Sequence, residues 1–266
     1  MTQGALIFAF ANEQIDYVAM AAWSADNIHR HLDIPVCVVT DSETQDSRFD
    51  HIIRVARTPT DQQRQFADVD GRVTWYNQDR VNAYSISPWD QTLVLDADYV
   101  VASDQLTTVL ASPQAFLCHG GAWDMVTGDL LHDLNSFGRY RQPMWWATVM
   151  MFRRDPVTCH IFDCMRMVRD HWQHYRDLYG LGRSHYRNDF ALSIALGIVT
   201  GHTMAVDTID WDLMTLMPGH TLSRLQQDLY EITFQKAARR HSMTVGGADF
   251  HAMGKGQLGA IVANDS

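Results

Sequence analysis

Leu93-Val94-Leu95-Asp96-Ala97-Asp98-Tyr99-Val100-Val101 sets an unbroken apolar run directly against two carboxylates one residue apart. A short run with no polar face, entered through Gln91-Thr92, reads as a strand buried on both sides. In extended chain residues i and i+2 point the same way, so Asp96 and Asp98 are expected to converge on one ligand. They stand where a buried parallel strand ends, the place where open α/β sheets bind ligands. Two carboxylates at the mouth of an apolar sheet repel each other unless a cation is present, and a hard divalent ion takes oxygen ligands from such a pair. The three-residue pattern has a plainer reading as well, since strands commonly end in Asp to cap the next turn.

Working outward, residues 5–10 read as a buried strand, and Ile15, Val18, Ala22, Ala25 and Ile28 mark one face of a helix. A second strand over 34–40 stops at Asp41, and this order calls for a parallel pair with a right-handed crossover. Residues 51–56 form a third strand. The polar stretch 58–73 reads as a loop or short helix, and 76–85 as helical. Further strands are expected at 115–118 and 144–152. Asp155-Pro156 supplies a cap and a first-turn proline for a helix. Phe162, Met165, Val168, Trp172 and Tyr175 follow at helical spacing as core residues, and Gly180 ends the run. Another helix opens near Asp189. With no repeat and no linker, residues 1–266 are expected to form one α/β domain around a mixed central sheet flanked by helices.

The 266 residues are 46% hydrophobic with eleven Phe, ample for such a core. A formal charge of −10 argues mildly against a life on nucleic acid. Arg139/Arg141, Arg153/Arg154, Arg183/Arg187 and Lys236/Arg239/Arg240 are local basic groups, read mainly as ordinary surface charge. None of the four cysteines forms a CxxC, so buried reduced thiols in a reducing compartment are expected. The apolar run 5–11 is too short for a membrane span and lacks the basic lead of a signal peptide. A cytoplasmic protein with no membrane partner is the expectation.

The Leu95-Asp96-Ala97-Asp98 strand end resembles the Asp-X-Asp motif of glycosyltransferases with the GT-A fold, especially family 8, the glycogenin-like enzymes. That resemblance implies a nucleotide-diphosphate-sugar transferase fold, with residues 1–101 as the nucleotide-sugar half and 102–266 as the acceptor side. It implies a manganese ion, with magnesium as the alternative, and a donor that is a UDP-sugar. Phe8, Ala9 and Phe10 at the end of the first strand, and Asp41 after the second, resemble the family's base and ribose pocket. Arg80 resembles a basic residue that meets phosphate or the donor sugar; a surface ion pair with Asp79 or Asp90 is its other reading. Asp189 matches an Asp near the reacting sugar, or is simply a helix N-cap.

Asp249-Phe250-His251-Ala252-Met253-Gly254-Lys255 resembles the family's closing His-X-X-Gly segment, which implies His251 as third metal ligand and Lys255 on the diphosphate. A histidine ligand favours Mn²⁺ over Mg²⁺. This chain departs from the family in placing Lys255 directly after Gly254, and in carrying Trp146-Ala147-Thr148 where the family has Asn-X-Gly. The resemblance also implies transfer with retention to an acceptor hydroxyl; the acceptor itself is open among a glycan, a small molecule, a protein and a modified DNA base. Two rivals are a nucleotide-sugar-binding protein without turnover and a sugar-nucleotide nucleotidyltransferase. The second needs a Gly-rich loop after the first strand, where this chain reads Ala9-Phe10-Ala11-Asn12; a dinucleotide-binding dehydrogenase fails on the same ground.

Overall fold

The computed structural model describes the chain except residues 61, 67, 132–134, 204 and 266. In chain order the strands are β1 (Gln3–Phe8), β2 (Val36–Thr40), β3 (His51–Arg54), β4 (Gln63–Gln65), β5 (Arg72–Thr74), β6 (Gln91–Leu95), β7 (Tyr99–Val100), β8 (Phe116–His119) and β9 (Ala122–Asp124). They continue with β10 (Ser136–Phe137), β11 (Gln142–Pro143), β12 (Trp146–Arg153), β13 (Leu213–Leu216), β14 (Thr221–Gln226), β15 (Leu229–Lys236), β16 (Arg239–Gly246) and β17 (Phe250–Ala252). The α-helices are α1 (Tyr17–Leu32), α2 (Ala83–Ile86), α3 (Leu106–Ala111), α4 (Pro156–Asp170), α5 (Trp172–Tyr179), α6 (Asn188–Val199) and α7 (Lys255–Asn264).

The central sheet runs β3-β2-β1-β6-β12-β8. The first four of these are mutually parallel, and β12 lies antiparallel to both its neighbours. β1 and β2 are joined through α1 as the strand–helix–strand order requires. Every side chain of β2 and β6 is buried, which is why their sequences show no alternation. Helix α6 packs on β12 and on α4, while α1 meets α7, so helices cover the sheet and the chain is an α/β protein with a mixed central sheet. A second sheet, β7-β17-β13-β9, stands beyond the end of β6 and brings a late segment of chain to it.

Several expectations need correction. The stretch 58–73 is not wholly irregular: Gln63–Gln65 and Arg72–Thr74 pair as an antiparallel hairpin. Gln63-Arg64-Gln65 has no apolar residue and Arg72-Val73-Thr74 only Val73, so no hydrophobic period announces them. The region 76–85 becomes helical only at Asp79, as a 3₁₀ turn over Asp79–Asn82 followed by α2. Asp155 does cap α4, accepting from the Val157 amide at 2.8 Å, but the helix breaks at His171 before α5. Gly180 ends α5 in the left-handed region (φ 68°). The sheet β14-β15-β16 is a further element that sequence reading missed. Cys37, Cys118 and Cys164 are buried thiols, whereas Cys159 is half-exposed; all four are free. Among the described residues no helix is long and apolar enough to cross a membrane.

Candidate active site

Asp96 and Asp98 follow β6 through a tight turn rather than along an extended strand. The Tyr99 amide donates to the Asp96 carbonyl at 3.0 Å, so the chain folds back before β7 begins. The two carboxylates therefore converge because of the turn, not because of strand alternation. Neighbouring backbone pins this turn from both sides. The Asp96 amide donates to the Thr148 carbonyl of β12, and the Ala252 amide of β17 donates to the Asp98 carbonyl, each at 3.0 Å. Pairing of β17 with β7, Phe250 opposite Val100 and His251 opposite Tyr99, then delivers the His251 imidazole to the carboxylates.

One His251 ring nitrogen, Nε2, lies 3.5 Å from Asp98 Oδ2, and ligand atoms of Asp96, Asp98 and His251 all fall within 4.8 Å of one another. His251 Nδ1 is buried with no hydrogen-bond partner among the described residues. Burial holds the imidazole below its ordinary pKa, so it is neutral and able to donate a lone pair. Two carboxylates and a neutral imidazole are a donor set suited to a divalent first-row ion, and these residues fit one.

The carboxylates are also held by cations of the protein. Arg80, from the 3₁₀ turn and only 1% exposed, is ion-paired with Asp96 and donates to the Ala147 carbonyl at 2.6 Å. This corrects the surface-pair reading: Asp79 instead takes Arg169 at 3.0 Å, and Asp90 accepts from the Thr2 amide at 2.8 Å. Lys255, the first residue of α7, is buried, ion-paired with Asp98 and bonded to the Ala252 carbonyl at 3.2 Å. Burial brings its ammonium down to about 8, against the opposing pull of Asp96.

These groups form the floor of a cavity of about 740 Å³, a size suited to a small organic ligand. Asp189 lies on its wall. It is the second residue of α6, whose N-cap is Arg187, so it is not itself the cap. Its carboxylate accepts from the Ala147 amide at 3.0 Å and from Arg187 at 2.7 Å. Burial would raise its pKa, but Arg187, the Ala147 amide and Arg64 outweigh it and hold the group ionised. Phe8 and Phe10 line the cavity together with Ala97. Ala9 and Asp41 do not. The Ala9 amide is spent on the Val39 carbonyl within the sheet, and Asp41 is ion-paired with Arg57, whose guanidinium lies 4.3 Å over the ring of the lining residue Tyr76.

Sequence reading missed Tyr17, Arg64 and Trp75, all of which face the cavity. Arg64 and Trp75 arrive with the polar hairpin, and nothing in Gln63-Arg64-Gln65 distinguishes it from loop. Tyr17 opens α1 and looked like ordinary helix sequence.

No protein-family model and no curated protein matches this chain. Among solved structures, the glycosyltransferase GlyE of Streptococcus pneumoniae TIGR4 superposes on 79% of it at 10% identity, with a TM-score of 0.43. This chain spans about half of GlyE, 46% of its length. The galactosyltransferase LgtC, in complex with donor and acceptor sugar analogs, aligns over 72% of this chain and 70% of its own at 13% identity and a TM-score of 0.44. Mouse xyloside xylosyltransferase 1 aligns over 82% of this chain and 88% of its own at 11% identity and a TM-score of 0.47. At such identities and scores, the chemistry of this chain rests on its own residues.

Proposed function

We propose that this chain is a metal-dependent glycosyltransferase of the GT-A type, moving a sugar from a UDP-sugar to an acceptor hydroxyl. The observation that carries the reading is the meeting of Asp96, Asp98 and His251, within 4.8 Å of one another, on the floor of the cavity at the end of β6. Those three residues would hold Mn²⁺, with Mg²⁺ as the weaker alternative because of the imidazole. When bound, the ion supplies Lewis-acid stabilisation of the charge that develops on the departing diphosphate.

The chain's own residues bind and orient. Phe8 and Phe10 flank the base, and Asp41 stands toward the ribose side with Tyr76 and Arg57 between. Lys255 and Arg80 sit where they can turn from their carboxylates to phosphate oxygens. Asp189, kept ionised by Arg187, orients the transferred sugar. In the transfer, the bond between the anomeric carbon and the β-phosphate oxygen breaks, the acceptor oxygen bonds that carbon, and the hydroxyl proton leaves with the diphosphate. We read the outcome as retention, following the family-8 resemblance. Residues 1–101 serve the nucleotide sugar and 102–266 the acceptor, with His251 and Lys255 returning to the donor side.

Thermal unfolding with UDP and UDP-sugars, in Mn²⁺ and in EDTA, tests the reading. A manganese-dependent rise supports it; no shift with any nucleotide overturns it. A second reading, nucleotide-sugar binding without turnover, draws support from Arg80 and Lys255 already neutralising both carboxylates. It requires a shift that EDTA leaves intact, and neither transfer nor donor hydrolysis.

A further inference from the structure

The cations around the cavity floor are not equally matched. Arg80 has Asp96, Lys255 has Asp98, and Arg187 has Asp189. Arg64, on β4, has no carboxylate partner among the described residues. Its Nη2 donates to the Tyr186 carbonyl at 3.2 Å, and its guanidinium carbon lies 3.6 Å from the centre of the Trp75 ring. A guanidinium carries five N–H donors, so most of this one's capacity is unspent. Stacking on Trp75 fixes its plane and leaves an edge suited to a bidentate oxyanion. Arg72, exposed on the facing strand β5, adds a second cation to the same wall without an acidic partner among the described residues.

This arrangement has a cost for the protein on its own. Burial, reinforced by Arg187, pulls Arg64 down to about 10 against the weaker pull of Asp189 and Asp96, and it remains charged at neutral pH. A half-buried charge with no carboxylate in contact is stabilised when a ligand supplies one. The diphosphate of a nucleotide sugar does not meet that need, because its two charges are already balanced by a divalent ion. The three carboxylates and their three cations balance as well, and the charges of Arg64 and of the exposed Arg72 are left over.

We propose that Arg64 receives an acidic group carried by the substrates in addition to the diphosphate. That group is a carboxylate or phosphate, borne either by the transferred sugar or by the acceptor. The proposal rests on the glycosyltransferase reading above. It makes the hairpin β4–β5 a specificity element and selects acidic over neutral sugars or acceptors.

The test titrates the manganese-loaded protein and its Arg64→Gln and Arg64→Lys variants with UDP, UDP-glucose and UDP-glucuronate. With UDP present, the same proteins are titrated with glucose and glucose 6-phosphate. The expected result is a preference of about tenfold or more for the acidic member of one pair, the size of a charge-assisted hydrogen bond. Arg64→Gln erases that preference and Arg64→Lys keeps part of it. A preference between the two donors places the acid on the sugar; a preference between the two hexoses places it on the acceptor. Equal affinity within both pairs overturns the proposal. So does an Arg64→Gln variant that loses UDP itself to the same extent, since Arg64 would then serve the diphosphate. Failure of UDP to bind any of the three proteins overturns the glycosyltransferase reading instead, and the proposal with it.

Discussion

The Arg80 guanidinium grips the Asp96 carboxylate with one terminal nitrogen and the Ala147 carbonyl of β12 with the other, the latter at 2.6 Å. One side chain thus ties the turn carrying Asp96 and Asp98 to the neighbouring strand. Removing one partner of such a pair leaves a buried group uncompensated. Arg80→Met is expected to cost about 3 kcal/mol, read as a lower urea midpoint in equilibrium unfolding, and to weaken any manganese response as Asp96 loses its anchor. An unchanged midpoint would mean that the pair contributes nothing to folding.

Asp98→Asn separates the fold from the site. The substitution keeps the side-chain shape at a turn that the Ala252 amide holds through the backbone. Circular dichroism should be unchanged. The stabilisation by manganese with UDP, about 2.7 kcal/mol at a hundredfold excess over the dissociation constant, should disappear. Retention of that increment would remove Asp98 from the ligand set.

His119, at the end of β8 and outside the cavity lining, predicts a pH dependence of its own. Its Nδ1 donates to the Trp211 carbonyl at 2.8 Å, and burial lowers its pKa to about 4. In the unfolded chain the imidazole titrates near 6.5. Between those values the unfolded state takes up a proton that the folded state refuses, so this stability is complete above about pH 6.5 and lost as pH falls toward 4. The full loss is about 3 kcal/mol. Urea midpoints from pH 7 to pH 5 should fall in the wild type and flatten in His119→Asn, whose amide nitrogen can replace Nδ1.

Gly4 marks a close approach within the central sheet. A Cβ there would run into the Trp89 indole and stand 2.8 Å from the Pro35 carbonyl. Overpacking of this kind costs about 1–3 kcal/mol. Gly4→Ala should lower the melting temperature, and Gly4→Ala with Trp89→Leu should recover part of it if the indole is the obstacle.

The legible parts of this chain were those where burial leaves a mark on composition. The apolar runs within β1, β2 and β6 announced a parallel sheet, and Asp155-Pro156 announced α4. The hairpin carrying Arg64 was not legible, because Gln63-Arg64-Gln65 buries no face and its partner strand supplies the pairing. The sheet β14–β16 was missed for a similar reason: only Leu222, Tyr230 and Ile232 of its residues are buried. At the site, the end of a buried strand pointed to Asp96 and Asp98 without excluding a turn cap, while His251 and Lys255 rested on resemblance. Their approach to Asp98 depends on the pairing of β17 with β7, and pairing between distant segments leaves no local signature. The charge partners were least legible: which carboxylate Arg80 or Arg187 meets is decided by a turn and a helix start, not by spacing.

The pairing of β17 with β7 also bears on how the molecule is made. Asp98 is synthesised well before His251 and Lys255. Until then the two carboxylates have lost neither their hydration nor their mutual repulsion, and the nascent chain has no completed pocket with which to capture an ion. Completion of the pocket is thereby deferred until β17 has paired with β7, long after the carboxylates themselves have been made.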